Sequence, residues 1–398
     1  MNLYSIYLHI PFCSHRCAYC DFNTYAGKES LIPQYVEALC CEIERVKATL
    51  ETRLAVHTIF FGGGTPSLLP LNQIERILTT LAKSFALTSN VEITLEANPG
   101  TLSRTYLSGL HYLGVNRLSL GVQSVNPVEL RFLERQHNYG DVINSVTWAR
   151  QAGFENLNLD MIFGLPYQSL DTWRHSLELV LGLHPEHFSL YALTVEHGTP
   201  LEHWTRRGLV DVPDPDLAAD MYEWAGERLS TEGYSQYEIS NWARWRDEKL
   251  LSCRHNLQYW RGLPYLGFGA GAHGYAAHQR TANVLSPAAY IHRCRIENQE
   301  ISGPGKFPRS PATQILTPLD RQTEIGEYMM MGLRLVDEGV SAANFMARFG
   351  EPLGLVFKSQ IESLVKQRLL EWAGTGGDRL RLTPGGRLLG NQVFMEFI

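Results

Sequence analysis

The sequence has no run of 18 apolar residues, and its start carries no basic segment followed by an apolar one. Neither a membrane-spanning helix nor a secretory leader is expected. A strong excess of one charge is also missing. Thirty-five Lys plus Arg stand against 41 Asp plus Glu, a net charge of −6, which argues against a general binder of phosphate backbones and leaves no nucleic acid among the expected partners. Cysteine is sparse, with seven in 398 residues. The number is odd and three fall within eight positions, which suits a metal centre better than a disulfide framework. The 34 Gly and 19 Pro are dispersed, and 44% of residues are hydrophobic, so collagen-like repeats and long disordered tails are excluded. What remains is a soluble, cytoplasmic, globular chain with room for two to three domains of about 150 residues.

Its first 235 residues alternate β-rich runs, at 5–10, 57–61, 91–96, 117–121, 157–162 and 188–193, with amphipathic segments. Between 32 and 50, Val36, Leu39, Ile43, Val46 and Leu50 recur at spacings of three and four, which is helical periodicity. Further helices are expected over 71–85, 103–113, 141–151, 171–183 and 215–232. Such alternation implies parallel strands joined by right-handed crossovers. A full eight-unit barrel takes about 250 residues, so this stretch suits an open, six-unit partial barrel with its ligand at the carboxyl ends of the strands. Beyond residue 235 the pattern changes. A connecting region is expected over 236–305, glycine-rich from 262 to 274 and ending in a linker at Gly303-Pro304-Gly305. A mainly helical cap of winged-helix character is expected over 306–398, with helices at 324–336 and 355–370 and a short hairpin at 379–382.

Polar chemistry collects at the expected strand ends. Cys13-Ser14-His15-Arg16-Cys17-Ala18-Tyr19-Cys20 follows the first strand and places three thiols on one loop. Three thiolates suit an iron–sulfur cubane with one iron left open, whereas a closed zinc site would need a fourth ligand, from His15 or His9. Tyr19 is either a ring packed on a planar ligand or a loop anchor. Gly62, Gly63 and Gly64 free the backbone for close approach, or make a tight turn, and Thr65 adds a hydroxyl. Glu96 and Asp160 could accept hydrogen bonds from hydroxyls, Arg135 could pair with a carboxylate, and Gln123 offers an amide; each taken alone could equally be a surface ion pair or a loop cap. Cys40, Cys41 and Cys294 read as packing.

The spacing of Cys13, Cys17 and Cys20 resembles the radical S-adenosylmethionine superfamily. That resemblance implies an α/β fold built on a partial (β/α)6 barrel, a 4Fe-4S cluster on the three cysteines, and S-adenosylmethionine on the open iron. Tyr7-Leu8-His9-Ile10-Pro11-Phe12-Cys13, Gly62-Gly63-Gly64-Thr65-Pro66, Gly121-Val122-Gln123 and Asp160-Met161-Ile162-Phe163-Gly164-Leu165-Pro166 are similar to the oxygen-independent coproporphyrinogen III dehydrogenase group. By motif, Tyr7, Tyr19, Gly63, Gly64, Thr65, Glu96, Gln123, Arg135 and Asp160 would contact S-adenosylmethionine.

The group contains both dehydrogenases and haem chaperones. Dehydrogenases carry a fourth cysteine where this chain has Phe22, and a long arm before the first strand, whereas Tyr7 stands six residues after Met1. Cys253-Arg254-His255-Asn256-Leu257-Gln258-Tyr259-Trp260 resembles the chaperone branch. Haem iron takes a His nitrogen or a Cys thiolate, and its macrocycle wants aromatic walls, so His255, with Cys253 as the alternative, and Tyr259 and Trp260 form the candidate haem set. The resemblance thus implies haem and an acceptor protein as partners, with transient membrane association and a homodimer as further options. The competing readings are anaerobic coproporphyrinogen III dehydrogenation and a zinc-stabilised structural protein.

Overall fold

The computed structural model describes residues 3–295 and 307–398; the linker expected at 303–305 lies outside them. Contacts divide the chain into two compact units, Met1–Ala225 with Pro264–Pro318, and Gly226–Leu263 with Leu319–Ile398.

In the first unit, β1 (Tyr4–Ile10), β2 (Ala55–Gly63), β3 (Ala86–Ala97), β4 (Arg117–Gln123), β5 (Leu157–Phe163) and β6 (His187–Ala192) pair in that order, all parallel. Helices including Ile32–Ala48, Leu71–Ser84, Arg104–Tyr112, Tyr139–Gln151 and Leu170–Leu181 make the crossovers. The six expected strands and the helices between them are present, in the fold class expected from the resemblance. Alternation along the strands explains how one sheet serves two surroundings. Ile59, Phe61, Leu95, Leu118, Leu120 and Leu159 are fully buried. On the opposite parity Ser5, Thr58, Ser119, Asn158, His187 and Ser189 are buried too, and they hydrogen-bond among themselves, Ser5 with Thr58 and Asn158 with Ser119, His187 and Ser189. Buried polar groups are tolerated only when so paired.

β1 is not an edge. It pairs in parallel with β7 (Tyr265–Phe268), and β8 (His273–Ala276), β9 (Gln279–Asn283) and β10 (Thr313–Pro318) continue the sheet antiparallel. The sequence reading placed no strands here, because glycine discourages them. The glycines answer to close approach instead: a Cβ on Gly267 would stand 1.9 Å from His273 O, and one on Gly274 2.7 Å from Thr281 Oγ1.

In the second unit, Val340–Ser341, Arg379–Leu382 and Leu370–Ala373 form a three-stranded sheet beside helices Arg321–Gly332, Ala342–Phe349 and Lys358–Lys366. The core is aromatic: Phe345, Phe349, Phe357, Phe394 and Phe397 are buried together with Leu364, Leu380 and Leu382. The continuous helix expected over 355–370 is broken. Phe357 leaves the helical region at φ −118°, and Arg368 turns at φ +60° to start the strand Leu370–Ala373. Tyr234–Glu238, Asn241–Arg246 and the helix Arg254–Trp260 belong to this unit as well.

Candidate cofactor site

The cysteine loop leaves β1 at Ile10 and is closed by a short parallel pairing of Phe12–Cys13 with Tyr25–Ala26. The loop after β2 lies directly on it: Gly64 N–H donates to Ile10 O at 2.8 Å and Thr65 N–H to Phe12 O at 2.8 Å. A Cβ on Gly64 would meet Phe12 O at 2.6 Å and Cys13 Sγ at 3.0 Å, and Gly63 sits at φ +109° with the His9 ring 2.6 Å from any Cβ. These two glycines are therefore demanded by the packing of one loop on the other.

A cavity of about 410 Å³ opens at the carboxyl ends of the strands. Cys13, Cys17, Cys20, Tyr19, Gly63, Gly64, Thr65, Glu96, Gln123, Arg135 and Asp160 all line it. Tyr7 is placed differently. It is not among the lining residues but stands beside Glu96, with its ring stacked on Phe60 and its hydroxyl 3.0 Å from His9 Nδ1.

Arg135 organises the cysteine side. Its Nη1 donates to Cys17 Sγ at 3.6 Å, and Nη2 donates to Gly121 O at 2.8 Å and to Asn98 Oδ1. Asn98 in turn donates to Thr65 Oγ1 at 3.1 Å, and Thr65 donates to Cys13 Sγ at 3.6 Å. One chain of donors thus runs from Cys17 to Cys13. Burial pushes the Cys13 and Cys20 thiols up; the Thr65 hydrogen bond and the Arg135 charge pull Cys13 back. Arg135 Nε is buried with no partner.

The carboxylate side is different. Burial, and then the charge of Asp160, raise Glu96 to about 8, against the pull of the Gly63 N–H at 3.1 Å. Asp160 is raised by burial and accepts from Ser119 Oγ at 2.9 Å and Asn158 Nδ2 at 2.8 Å. Gln123 turns into the site at φ +65°, beside the register shift between β4 and β5. A non-glycine residue held there is strain of the sort that gathers at functional sites.

Sequence reasoning missed Asn98 and Ser119, which both line the cavity. Asn98 stands two residues after Glu96, and Ser119 two before Gly121, so strand parity was the available signal.

The donor set can be tested against the implied group. Among the described residues no three His, Cys, Asp or Glu side chains converge to hold a single metal ion. Three thiols around one recess fit a larger cluster with an open iron. Both nearby histidines are otherwise engaged. His9 uses both ring nitrogens, Nδ1 toward Tyr7 and Nε2 toward Asn23 O at 2.9 Å. His15 borders the cavity but is exposed, with Nε2 3.3 Å from Glu134.

In the second unit His255 is buried on the helix Arg254–Trp260, its Nε2 2.8 Å from Tyr259 Oη. Cys253 caps this helix, and its N–H donates to Tyr237 Oη at 3.3 Å. Trp260 is covered by the Arg334 guanidinium, 4.5 Å from the ring centre. The structure thus brings His255 and Tyr259 together and gives Trp260 a cationic partner.

Residues 7–180 match the family model of the radical SAM superfamily, and residues 319–389 that of the HemN C-terminal domain. A protein named heme chaperone HemW from Bacillus subtilis (strain 168) is 37% identical, covering 99% of this chain and 99% of its own. One of the same name from Lactococcus lactis subsp. lactis is 36% identical, covering 99% and 97%. The solved structure of coproporphyrinogen III oxidase (HemN) from Escherichia coli superposes with a TM-score of 0.82 over 100% of this chain and 90% of that one, at 23% identity, a likeness of fold. In the described residues no helix is long and apolar enough to cross a membrane. Three cysteines on the loop of a partial barrel, the two matching family models and relatives aligned nearly end to end make this chain a member of the radical SAM superfamily and, within it, of the heme chaperone HemW family.

Proposed function

We propose that this chain binds haem and hands it to an acceptor protein, while carrying a 4Fe-4S cluster on Cys13, Cys17 and Cys20 and S-adenosylmethionine in the cavity beside them. The reading is carried by the near end-to-end similarity to relatives named as heme chaperones. A second observation agrees with it. Position 22, where dehydrogenases of the group place a further cysteine, holds Phe22 on the cavity wall, 62% exposed.

When bound, a 4Fe-4S cluster supplies a one-electron centre with an iron open to an outside ligand. The chain's own residues do the rest. Arg135 offers a fixed cation for a carboxylate, and its unpartnered Nε is a donor in reserve. Glu96, protonated at neutral pH, can donate to a ribose hydroxyl as well as accept from one. Tyr19 gives an apolar ring face, and Gln123 an amide held in place by its backbone.

For haem, His255 supplies the imidazole and Cys253 is the alternative ligand. His255 Nε2 would have to give up its Tyr259 hydrogen bond to ligate the iron. The test is an anaerobic titration of the cluster-loaded protein with haemin, followed at the Soret band, in wild type and His255→Ala. The expected result is saturation near one haem per chain, weakened in the variant. Absence of saturable binding would overturn the reading.

A further inference from the structure

The return limb of the cysteine loop is held by a part of the sheet that takes no part in lining the cavity. Both amide hydrogens of Asn23 are donated to main-chain carbonyls, Ala270 O and Leu285 O, each at 3.0 Å. Its own carbonyl faces His9 Nε2 at 2.9 Å, and Tyr25 Oη donates to the same Leu285 O at 3.3 Å.

The receiving turn, between β7 and β8, is shaped for this. Gly269 at φ +104° and Gly271 at φ +78° press on the loop so closely that a Cβ would meet His9 O at 2.5 Å and Asn23 Nδ2 at 2.4 Å. Tyr35 Oη bridges the two segments, donating to His9 O and accepting from Ala270 N–H, both at 2.7 Å.

The turn is itself fixed from behind. The fully buried Glu42 accepts from Gly269 N–H at 2.9 Å, Asn283 Nδ2 at 2.8 Å, Tyr290 Oη at 2.6 Å and Ser310 Oγ at 2.6 Å. A carboxylate with every oxygen engaged is a rigid anchor.

We infer that Asn23 is a positioning residue for the cluster-bearing loop, and that the Gly269–Gly271 turn is the abutment on which the loop is set. This rests on the reading of Cys13, Cys17 and Cys20 as cluster ligands, the last of them three residues before Asn23. The chemistry calls for an amide. Two carbonyl oxygens must be met by two N–H donors on one short head; Asp would set a carboxylate against both carbonyls, and so should be worse than Ala although nearly the same shape.

The experiment uses the full chain, reconstituted anaerobically with iron and sulfide, as wild type, Asn23→Ala, Asn23→Asp, Gly271→Ala and the Asn23→Ala/Gly271→Ala double variant. Iron release to a chelator is timed, the reduced cluster is examined by EPR, and far-UV circular dichroism reports the fold. The account expects folded variants with altered EPR spectra. It also expects release about tenfold faster in Asn23→Ala, faster again in Asn23→Asp, similar to Asn23→Ala in Gly271→Ala, and no faster in the double variant than in either single one. Wild-type release rates and spectra in the variants, or an Asn23→Asp protein like wild type, would overturn it. Loss of the folded signal in all the variants would overturn it too, because the contacts would then brace the whole sheet. A wild-type chain that takes up no cluster would instead overturn the cluster reading, and this inference with it.

Discussion

The two units set out their candidate binding residues in opposite ways. In the first, side chains reach one cavity from the ends of several strands, most with a polar neighbour already in place: Arg135 on Asn98, Thr65 on Cys13, Asp160 on Ser119. In the second, the candidate ligand His255 is folded away against Tyr259 on the same helix turn, in a unit with an aromatic core. A preformed cavity suits a resident cofactor, which is bound once and kept. A ligand held by a hydrogen bond that must be given up suits cargo, which on the proposed reading is taken up and released.

That contrast can be broken or sharpened by substitution. The largest effect should come from Cys17→Ala. Loss of one of three ligands should abolish the cluster's visible absorbance, with the far-UV spectrum kept. A variant that retains the absorbance would remove the ligand assignment. Next is Phe345→Ala, which empties the centre of the aromatic core and should cost about 3–5 kcal/mol in a denaturant titration of the second unit's transition. A change below about 1 kcal/mol would mean that this core is not what holds the unit.

Arg135→Ala should weaken S-adenosylmethionine binding by about 2–3 kcal/mol, the worth of a charged hydrogen bond, read by calorimetry on the cluster-loaded chain. Lys at this position should recover only part of that, since it lacks the planar fork. Unchanged affinity in Arg135→Ala would place the ligand's carboxylate elsewhere.

The smallest effect is in pH. Glu96 sits at about 8 in the folded chain, above its ordinary value. The folded state therefore holds a proton that the unfolded state has released, and stability falls as pH rises through that window. His9 and His137, the latter lowered to about 4 by burial, work the other way, raising stability as pH climbs to the ordinary histidine range. Melting temperatures between pH 7 and 8.5 should thus decline in wild type and decline less in Glu96→Gln. Parallel curves would assign the slope to another group.

Much of the first unit was legible in the sequence because its signals are local. Strand and helix periods alternate, and the cysteine loop, the glycine run and the carboxylates each follow a strand directly, so parity and spacing place them on one rim. What escaped depends on distant partners. Asn98 shares strand parity with Glu96, but what it does there depends on Arg135 and Thr65, and Asn23 shows nothing in its neighbourhood, acting through carbonyls some 250 residues along the chain. β7 and β8 were hidden because Gly267 and Gly274, which weaken a strand by propensity, are required there by close approach, of His273 O to the one and Thr281 Oγ1 to the other. Tyr7, which shares a face with His9 and contacts its ring, is not itself among the residues lining the cavity but stands beside Glu96, which is.

The most direct test of the division between resident cofactor and cargo is the haemin titration carried out on Cys17→Ala, with Soret absorbance against equivalents of haem. The account predicts saturation near one haem per chain, as in wild type, although the cluster is gone. Failure of the cluster-free chain to saturate would contradict it, and would move the haem site to the cysteine cavity.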